Sequence, residues 1–155
     1  MRSFATKAFL VMLVGASTVA ATAVAATAEE RRHVRLKSRD AKDVRPFDDA
    51  VRVGSTLYLA GRIGLDPATN KPPADAAAEV RNVMDQIKAV LAQEGMTMDD
   101  LVTVQVFCTD LSLYGTFNDV YRTYFTKGFP ARAFLGTGSL LAGGRFEVQG
   151  IAIKQ

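Results

Sequence analysis

Few side chains in this sequence could do covalent or proton-transfer chemistry. Among 155 residues there is one Cys, Cys108, and one His, His33, and no Trp. A single Cys excludes an internal disulfide and a multi-Cys metal centre. A single His excludes any zinc site that needs two. A Ser-His-Asp or Cys-His group would have to recruit His33, which sits in a charged stretch outside the apolar pattern. A thiolate nucleophile needs a base or a positive group beside it. The sequence around Cys108 offers neither, so Cys108 reads as a small core residue. Asp48-Asp49 and Asp99-Asp100 are adjacent carboxylates. Neighbours on an extended chain point to opposite sides, so both pairs read as turn or cap residues. The phosphate-cradling patterns Gly-x-x-x-x-Gly-Lys-[Ser/Thr] and Gly-x-Gly-x-x-Gly after a strand are absent. Arginines, carboxylates, amides, hydroxyls and backbone groups remain, with no metal and no cofactor expected.

These groups must be positioned by a recognisable set of elements. Val51–Val53 and Thr56–Ala60 around Gly54-Ser55 read as two strands and a tight turn. Residues 61–73 read as a loop, with Asp66-Pro67 and Asn70-Lys71 as turn chemistry. Asp75 is placed to cap a helix. Its apolar stripe is Ala76, Val80, Val83, Met84, Ile87, Val90 and Leu91, at helical spacing. Glu79, Arg81, Gln86 and Lys88 fill much of the remaining face, and Gly95 ends the helix. Leu101–Asp110 alternates as a strand, with Val104, Val106 and Cys108 on one face. Thr103, Gln105, Phe107 and Thr109 share the other. Ser112 is expected to cap a second helix with a stripe of Leu113, Phe117, Val120, Tyr121, Tyr124 and Phe125, ended by Gly128 and Pro130. Ala131–Thr137 and Arg145–Lys154 read as closing strands. The order β-β-α-β-α-β-β implies an α+β layer, a mostly antiparallel sheet with helices on one face.

Residues 1–28 read as a secretory signal. Arg2 and Lys7 precede the apolar run Ala8–Val14, and Ala26-Thr27-Ala28 fits the cleavage rule. Ala23-Val24-Ala25 also fits, so the mature N-terminus stays open between them. The rival is an uncleaved anchor, since residues 8–28 are uncharged and long enough to span a bilayer. Ala, Thr and Gly in their second half weaken that reading. The expectation is export, in a bacterial setting to the periplasm, with no stable membrane anchor after cleavage. Cleavage would remove two of the 19 Lys+Arg and none of the 16 Asp+Glu, so the sequence pI near 9.2 belongs mainly to the precursor and to one basic arm. Residues 29–45 are that arm with the first strand, and 46–155 form the main domain. The arm, seven Lys/Arg across residues 31–45, reads as solvated. It lacks the interleaved aromatics that stack bases, and no nucleic-acid partner is expected.

Three segments together resemble the RidA (YjgF) family of reactive-intermediate deaminases. The first is Pro46-Phe47-Asp48-Asp49-Ala50-Val51 running into Leu57-Tyr58-Leu59-Ala60-Gly61-Arg62-Ile63-Gly64. The second is Val102–Asp110 leading to Phe117-Asn118-Asp119-Val120-Tyr121. The third is Phe129-Pro130-Ala131-Arg132 followed by Phe146-Glu147-Val148-Gln149-Gly150-Ile151-Ala152. The resemblance implies a chorismate-mutase-like fold and a homotrimer with clefts between subunits. It implies cofactor-free hydrolysis of 2-aminoacrylate-type enamines or their imines to 2-oxo acids and ammonia. It implies that Arg132 grips the substrate carboxylate, a task suited to a planar, permanently charged fork. Phe47, Ala60, Gly61 and Phe134 fall at substrate-binding positions.

Several of these positions depart from the family pattern. Ala60 stands where Ser is usual, Phe47 where Tyr is usual, and Phe134 where a Cys or another small residue is usual. The final-strand carboxylate that positions water is Gln149 here. An amide can hydrogen-bond water but cannot exchange a proton with it at ordinary pH. Glu147 lies two residues earlier on the same face, offset by ~7 Å, and reads as structural. Two further readings stay open: a non-catalytic trimer that binds small carboxylates in the same cleft, and an interaction trimer.

Overall fold

A computed structural model describes residues 29–38 and 42–154. The expected signal segment, residues 1–28, lies outside the described residues. The strands are β1 (Arg31–Val34), β2 (Ala50–Val53), β3 (Thr56–Leu59), β4 (Arg62–Ile63), β5 (Leu101–Cys108), β6 (Ala131–Gly136) and β7 (Phe146–Ile153). The helices are α1 (Ala76–Gln93), between β4 and β5, and α2 (Tyr114–Tyr121), between β5 and β6. The sheet runs β1-β2-β3-β7-β5-β6, with β4 also paired to β7. β5 and β6 pair in parallel, and the other described pairings are antiparallel. This is the α+β layer that alternation and helical spacing predict, with β1 as the first strand expected within residues 29–45 and β4 added to the expected order.

The α1 stripe behaves as its spacing demands. Val80, Val83, Met84, Ile87, Val90 and Leu91 are buried against the sheet. Fully burying one such side chain is worth roughly 1.5–3 kcal/mol. Asp75 caps the helix by accepting from the Ala77 and Ala78 N–H groups at 3.0 and 3.1 Å. Gly95 takes φ +67° just past the end, a conformation that costs a residue with a Cβ. On β5, Val104, Val106 and Cys108 face the helices and are buried.

Four expectations need correction. Glu79 is not on the polar face of α1 but fully buried. Asp110, rather than Ser112, provides the cap after β5: its carboxylate accepts from the Ser112 N–H at 2.9 Å, leading into a 3-10 turn (Leu111–Leu113) before α2. α2 ends at Tyr121 and its 3-10 continuation at Tyr124, before Gly128 and Pro130, because Phe125 is already extended. The basic arm is not merely solvated, since Arg31–Val34 form β1 on the sheet edge.

Candidate active site

Arg132 and Phe134 lie on β6 opposite Val104 and Val106 of β5, which directs them to the helix-covered face. Aromatic rings from α2 meet them there. The Arg132 guanidinium carbon sits 4.6 Å from the Tyr121 ring centroid and 5.6–5.8 Å from those of Tyr114, Phe117 and Phe134. A guanidinium over ring faces is attracted by their quadrupoles. One of its N–H groups donates to Asn118 Oδ1 at 2.7 Å. No carboxylate among the described residues is ion-paired with it. The surrounding pocket, about 300 Å³, is lined by Tyr114, Asn118, Tyr121, Arg122, Phe129, Pro130 and Arg132. Of the α2 stripe read as core from spacing, Tyr121 also lines this pocket. Burial pushes the Tyr121 hydroxyl up to about 12 against the opposing charge of Arg132, and that hydroxyl is buried without a hydrogen-bond partner among the described residues. The Tyr114 hydroxyl is held below its usual value by a hydrogen bond donated by the Asn118 amide and by the Arg132 charge.

The other residues singled out from sequence lie elsewhere. Phe47, Ala60 and Gly61 line one cavity of about 650 Å³, together with Arg62, Ile63, Leu141 and Glu147. β4 pairs with β7 through Arg62–Val148 and Ile63–Glu147. Continuing that register back by one residue sets Gly61 opposite Gln149. A Cβ at Gly61 would fall on the Glu147 carboxylate, so glycine is what lets that carboxylate approach the main chain. Gln149 itself lies opposite Gln105 on the uncovered face of the sheet and donates to the Gln105 Oε1 at 2.5 Å. With Tyr58, Thr103 and Ile151 the two amides line a separate depression of about 330 Å³. Phe47, Ala60 and Gly61 thus come together within one chain, whereas Arg132 and Gln149 lie on opposite faces.

Sequence reasoning missed two internal ion pairs. Glu79 accepts from the Arg145 Nε and the Arg145 N–H, each at 2.6 Å, and from the Phe146 N–H at 3.2 Å. The signal was present: Glu79 falls three residues after Ala76 and four before Val83, on the apolar stripe itself. A charge in that position requires a partner. Asp49 is buried and pairs with Arg62 at 2.6 Å, so it is an internal ion-pair partner rather than a turn or cap residue. Asp48 binds His33 and Arg35, which accounts for the one His. Asp100 does act in a cap, forming a capping box with Thr97, whereas Asp99 makes a tertiary contact, accepting from the Thr126 N–H. Cys108 is buried and its thiol is pushed up by burial, the opposite of an activated nucleophile. Among the described residues, no group of three or more His, Cys, Asp or Glu side chains could hold a metal ion.

A family model described as endoribonuclease L-PSP matches residues 38–154. The 2-iminobutanoate/2-iminopropanoate deaminase of Bos taurus is 36% identical over 110 residues, 70% of this chain and 80% of that protein. The protein of the same name from Escherichia coli (strain K12) is 32% identical over 113 residues, 71% of this chain and 88% of its own. Among solved structures, RidA from the Antarctic bacterium Psychrobacter sp. PAMC 21119 superposes with a TM-score of 0.68 at 32% identity, covering 72% of this chain and 91% of that one.

Proposed function

The chain belongs to the RidA (YjgF) family, and from that premise we propose that it hydrolyses small imines and enamines of the 2-aminoacrylate type to 2-oxo acids and ammonia, with Arg132 anchoring the substrate carboxylate. Relatives named as imine deaminases support the reaction class. The observation that carries the anchoring role is the setting of Arg132, a guanidinium held by an amide and four rings and paired with no carboxylate of the described residues. Its remaining N–H groups suit a bidentate carboxylate contact. Enamine and imine hydrolysis is easy beside amide hydrolysis, and holding carboxylate and water in register removes much of the barrier.

The separation of Arg132 from the Phe47–Ala60–Gly61 cavity supports an intersubunit cleft. β6 is an edge strand, and in a homotrimer one subunit's Arg132 would complete its neighbour's cavity. The mature protein is then an exported trimer near three times a subunit mass of ~13–14 kDa, a usual single-domain size. A monomer in light scattering at micromolar concentration would break this assembly.

One specific observation favours the second reading, a trimer that binds carboxylates without turnover: Gln149 and its neighbour Gln105 are both amides. A coupled assay separates the two. Imine is generated in situ by an amino-acid oxidase, and the purified mature protein is added. Faster appearance of ammonia supports the deaminase. Unchanged kinetics with saturable binding of 2-oxobutanoate supports the binding trimer.

A further inference from the structure

We propose that the cavity lined by Phe47, Ile63 and Leu141 takes a branched aliphatic or aromatic side chain of the substrate, so that imines of large apolar amino acids are preferred over that of alanine; the inference rests on the deaminase reading above. The cavity, about 650 Å³, is of a size that encloses drug-sized molecules, ~300–1,000 Å³. The side chain of 2-aminoacrylate is a single methylene and leaves most of that space to water. Much of the wall is apolar. Phe47, Ile63, Leu65, Pro67 and Leu141 contribute to it, and among the described residues no Ser, Thr or Tyr does. Its polar side chains are largely turned to the protein itself. Arg62 donates to Asp49 at 2.6 Å, Gln86 to the Ile63 carbonyl at 3.0 Å and Arg45 to Asp43 at 2.7 Å. Asp66 accepts from the Ala68 and Thr69 N–H groups at 2.8 and 3.0 Å. Asn70 and Glu147 are the other polar side chains on the wall. Water held against such a surface is released when an apolar group replaces it, which favours the larger side chain.

The loop between β6 and β7 supplies the rim. Leu141 lines the cavity yet is 81% exposed, so an apolar group seated beneath it would bury both surfaces. Ala142, next on the wall, holds φ +56°, a left-handed conformation that costs a residue with a Cβ. Backbone strain of this kind collects at ligand clamps. A Cβ at Gly144 would collide with Ile63, so glycine there lets the loop pack onto the cavity wall. The chemistry at C2 is unchanged, imine and water giving 2-oxo acid and ammonia. With every substrate carboxylate on Arg132, discrimination falls to the side chain, and a hydrophobic pocket separates homologues by roughly 10–200-fold per methylene.

The test uses the purified mature protein and imines made in situ by an amino-acid oxidase from leucine, phenylalanine and alanine, with 4-methyl-2-oxopentanoate and 2-oxobutanoate as binding probes in calorimetry. The leucine- or phenylalanine-derived imine should be hydrolysed with a kcat/KM at least about tenfold above that of the alanine-derived imine, the low end for one methylene. Leu141→Ser, at an exposed position on which the core does not depend, should lower that ratio by about fourfold or more, the worth of one buried methylene. Equal kcat/KM for the three imines would overturn the subsite and leave the deaminase reading standing. A preference that survives intact in Leu141→Ser would move it away from this cavity and overturn the assignment as well. If no imine turns over, the deaminase reading falls and calorimetry decides the subsite: at least about tenfold tighter binding of 4-methyl-2-oxopentanoate supports it, and equal affinity overturns it.

Discussion

Arg145, at the entrance to β7, and Arg132, on β6, present the same functional group in opposite settings. All three Arg145 guanidinium nitrogens donate a hydrogen bond. Its Nε meets Glu79 at 2.6 Å, and its two terminal nitrogens donate to the Ala74 and Pro73 carbonyls. Arg132 has an amide oxygen and a set of ring faces. Rings and amides hold a guanidinium in place without cancelling its charge, whereas a carboxylate holds it and cancels the charge together. The first arginine, Arg145, ties α1 to the sheet. The second leaves a charge for a ligand.

The largest effect should come from breaking the Arg145 arrangement. Glu79→Ala leaves the Arg145 guanidinium and the Arg145 and Phe146 N–H groups without their acceptor. Breaking a buried pair by removing one partner costs roughly 3–5 kcal/mol. For a domain of this size that is a fall of more than about 10 °C in Tm. A thermal melt at pH 7 reads it directly, and a fall under about 3 °C would mean that solvent reaches Arg145 and replaces Glu79.

Arg132 should respond in the reverse way. Arg132→Ala removes no buried ion pair, but it loses the hydrogen bond to Asn118 and a cation–ring attraction of roughly 0.5–1 kcal/mol, so the melt should fall by less than in Glu79→Ala. Ligand affinity should fall as well. A hydrogen bond to a charged group is worth ~1.5–3 kcal/mol, which predicts at least about tenfold weaker 2-oxobutanoate binding by calorimetry. Arg132→Lys should recover only part of this, because an ammonium cannot form the fork. A variant that melts early and binds normally would erase the distinction between the two arginines.

The same contrast explains what could be read before the structure. Local patterns held: the α1 stripe, the Asp75 cap, the alternation of β5, and the paired strands around Gly54 are each set by neighbours within a few residues. Two local details failed, the cap at Asp110 and the end of α2, and the rest of what failed depended on distance. Glu79 finds Arg145 66 residues away, and Arg32 finds Glu94 62 residues away. No spacing rule reaches that far, so seven basic residues against Asp40 and Asp43 read as a solvated arm. The site was legible to the extent that segments carried it. Arg132, Phe47, Ala60 and Gly61 come from matched stretches of sequence. Which of Gln149 and Glu147 shares the cavity with Phe47, Ala60 and Gly61 turns on how β7 pairs with β4, a strand of two residues with no pattern of its own.

Acid should discriminate the two kinds of site next. Burial raises the Glu94 carboxyl, but hydrogen bonds and charge from Arg32 and Arg52 outweigh it and hold the group below its usual value. Asp48 is lowered by hydrogen bonds from Arg35 and His33. A carboxyl lowered in the folded state stabilises that state fully above its unfolded value, near 4, and the contribution is lost as pH falls through the lowered folded value. Both carboxylates hold β1 in place. Hydrogen exchange should therefore show β1 opening before the core as pH drops from 5 to below 4. Arg32→Ala should move that opening to higher pH. Equal protection of β1 and β5 down to pH 3 would show that backbone pairing with β2 alone retains the strand.

The smallest effect lies at the alkaline end and belongs to the Arg132 pocket. The Tyr114 hydroxyl is held below its usual value of about 10 by Asn118 and Arg132. Below that lowered value Tyr114 is neutral and leaves the guanidinium to a bound carboxylate. Above it, a phenolate beside Arg132 competes for the same charge, so affinity should weaken as pH rises from 8 toward 10. Tyr114 is half exposed, and solvent screens the repulsion, so the loss should stay under about tenfold, less than one hydrogen bond to a charged group. Tyr121, pushed up to about 12, stays neutral over this range and cannot produce the same limb. Tyr114→Phe should then bind 2-oxobutanoate with a flat profile between pH 8 and 10 while keeping the neutral-pH affinity. An alkaline limb that persists in Tyr114→Phe would assign the competing charge to another group and detach Tyr114 from the anchor.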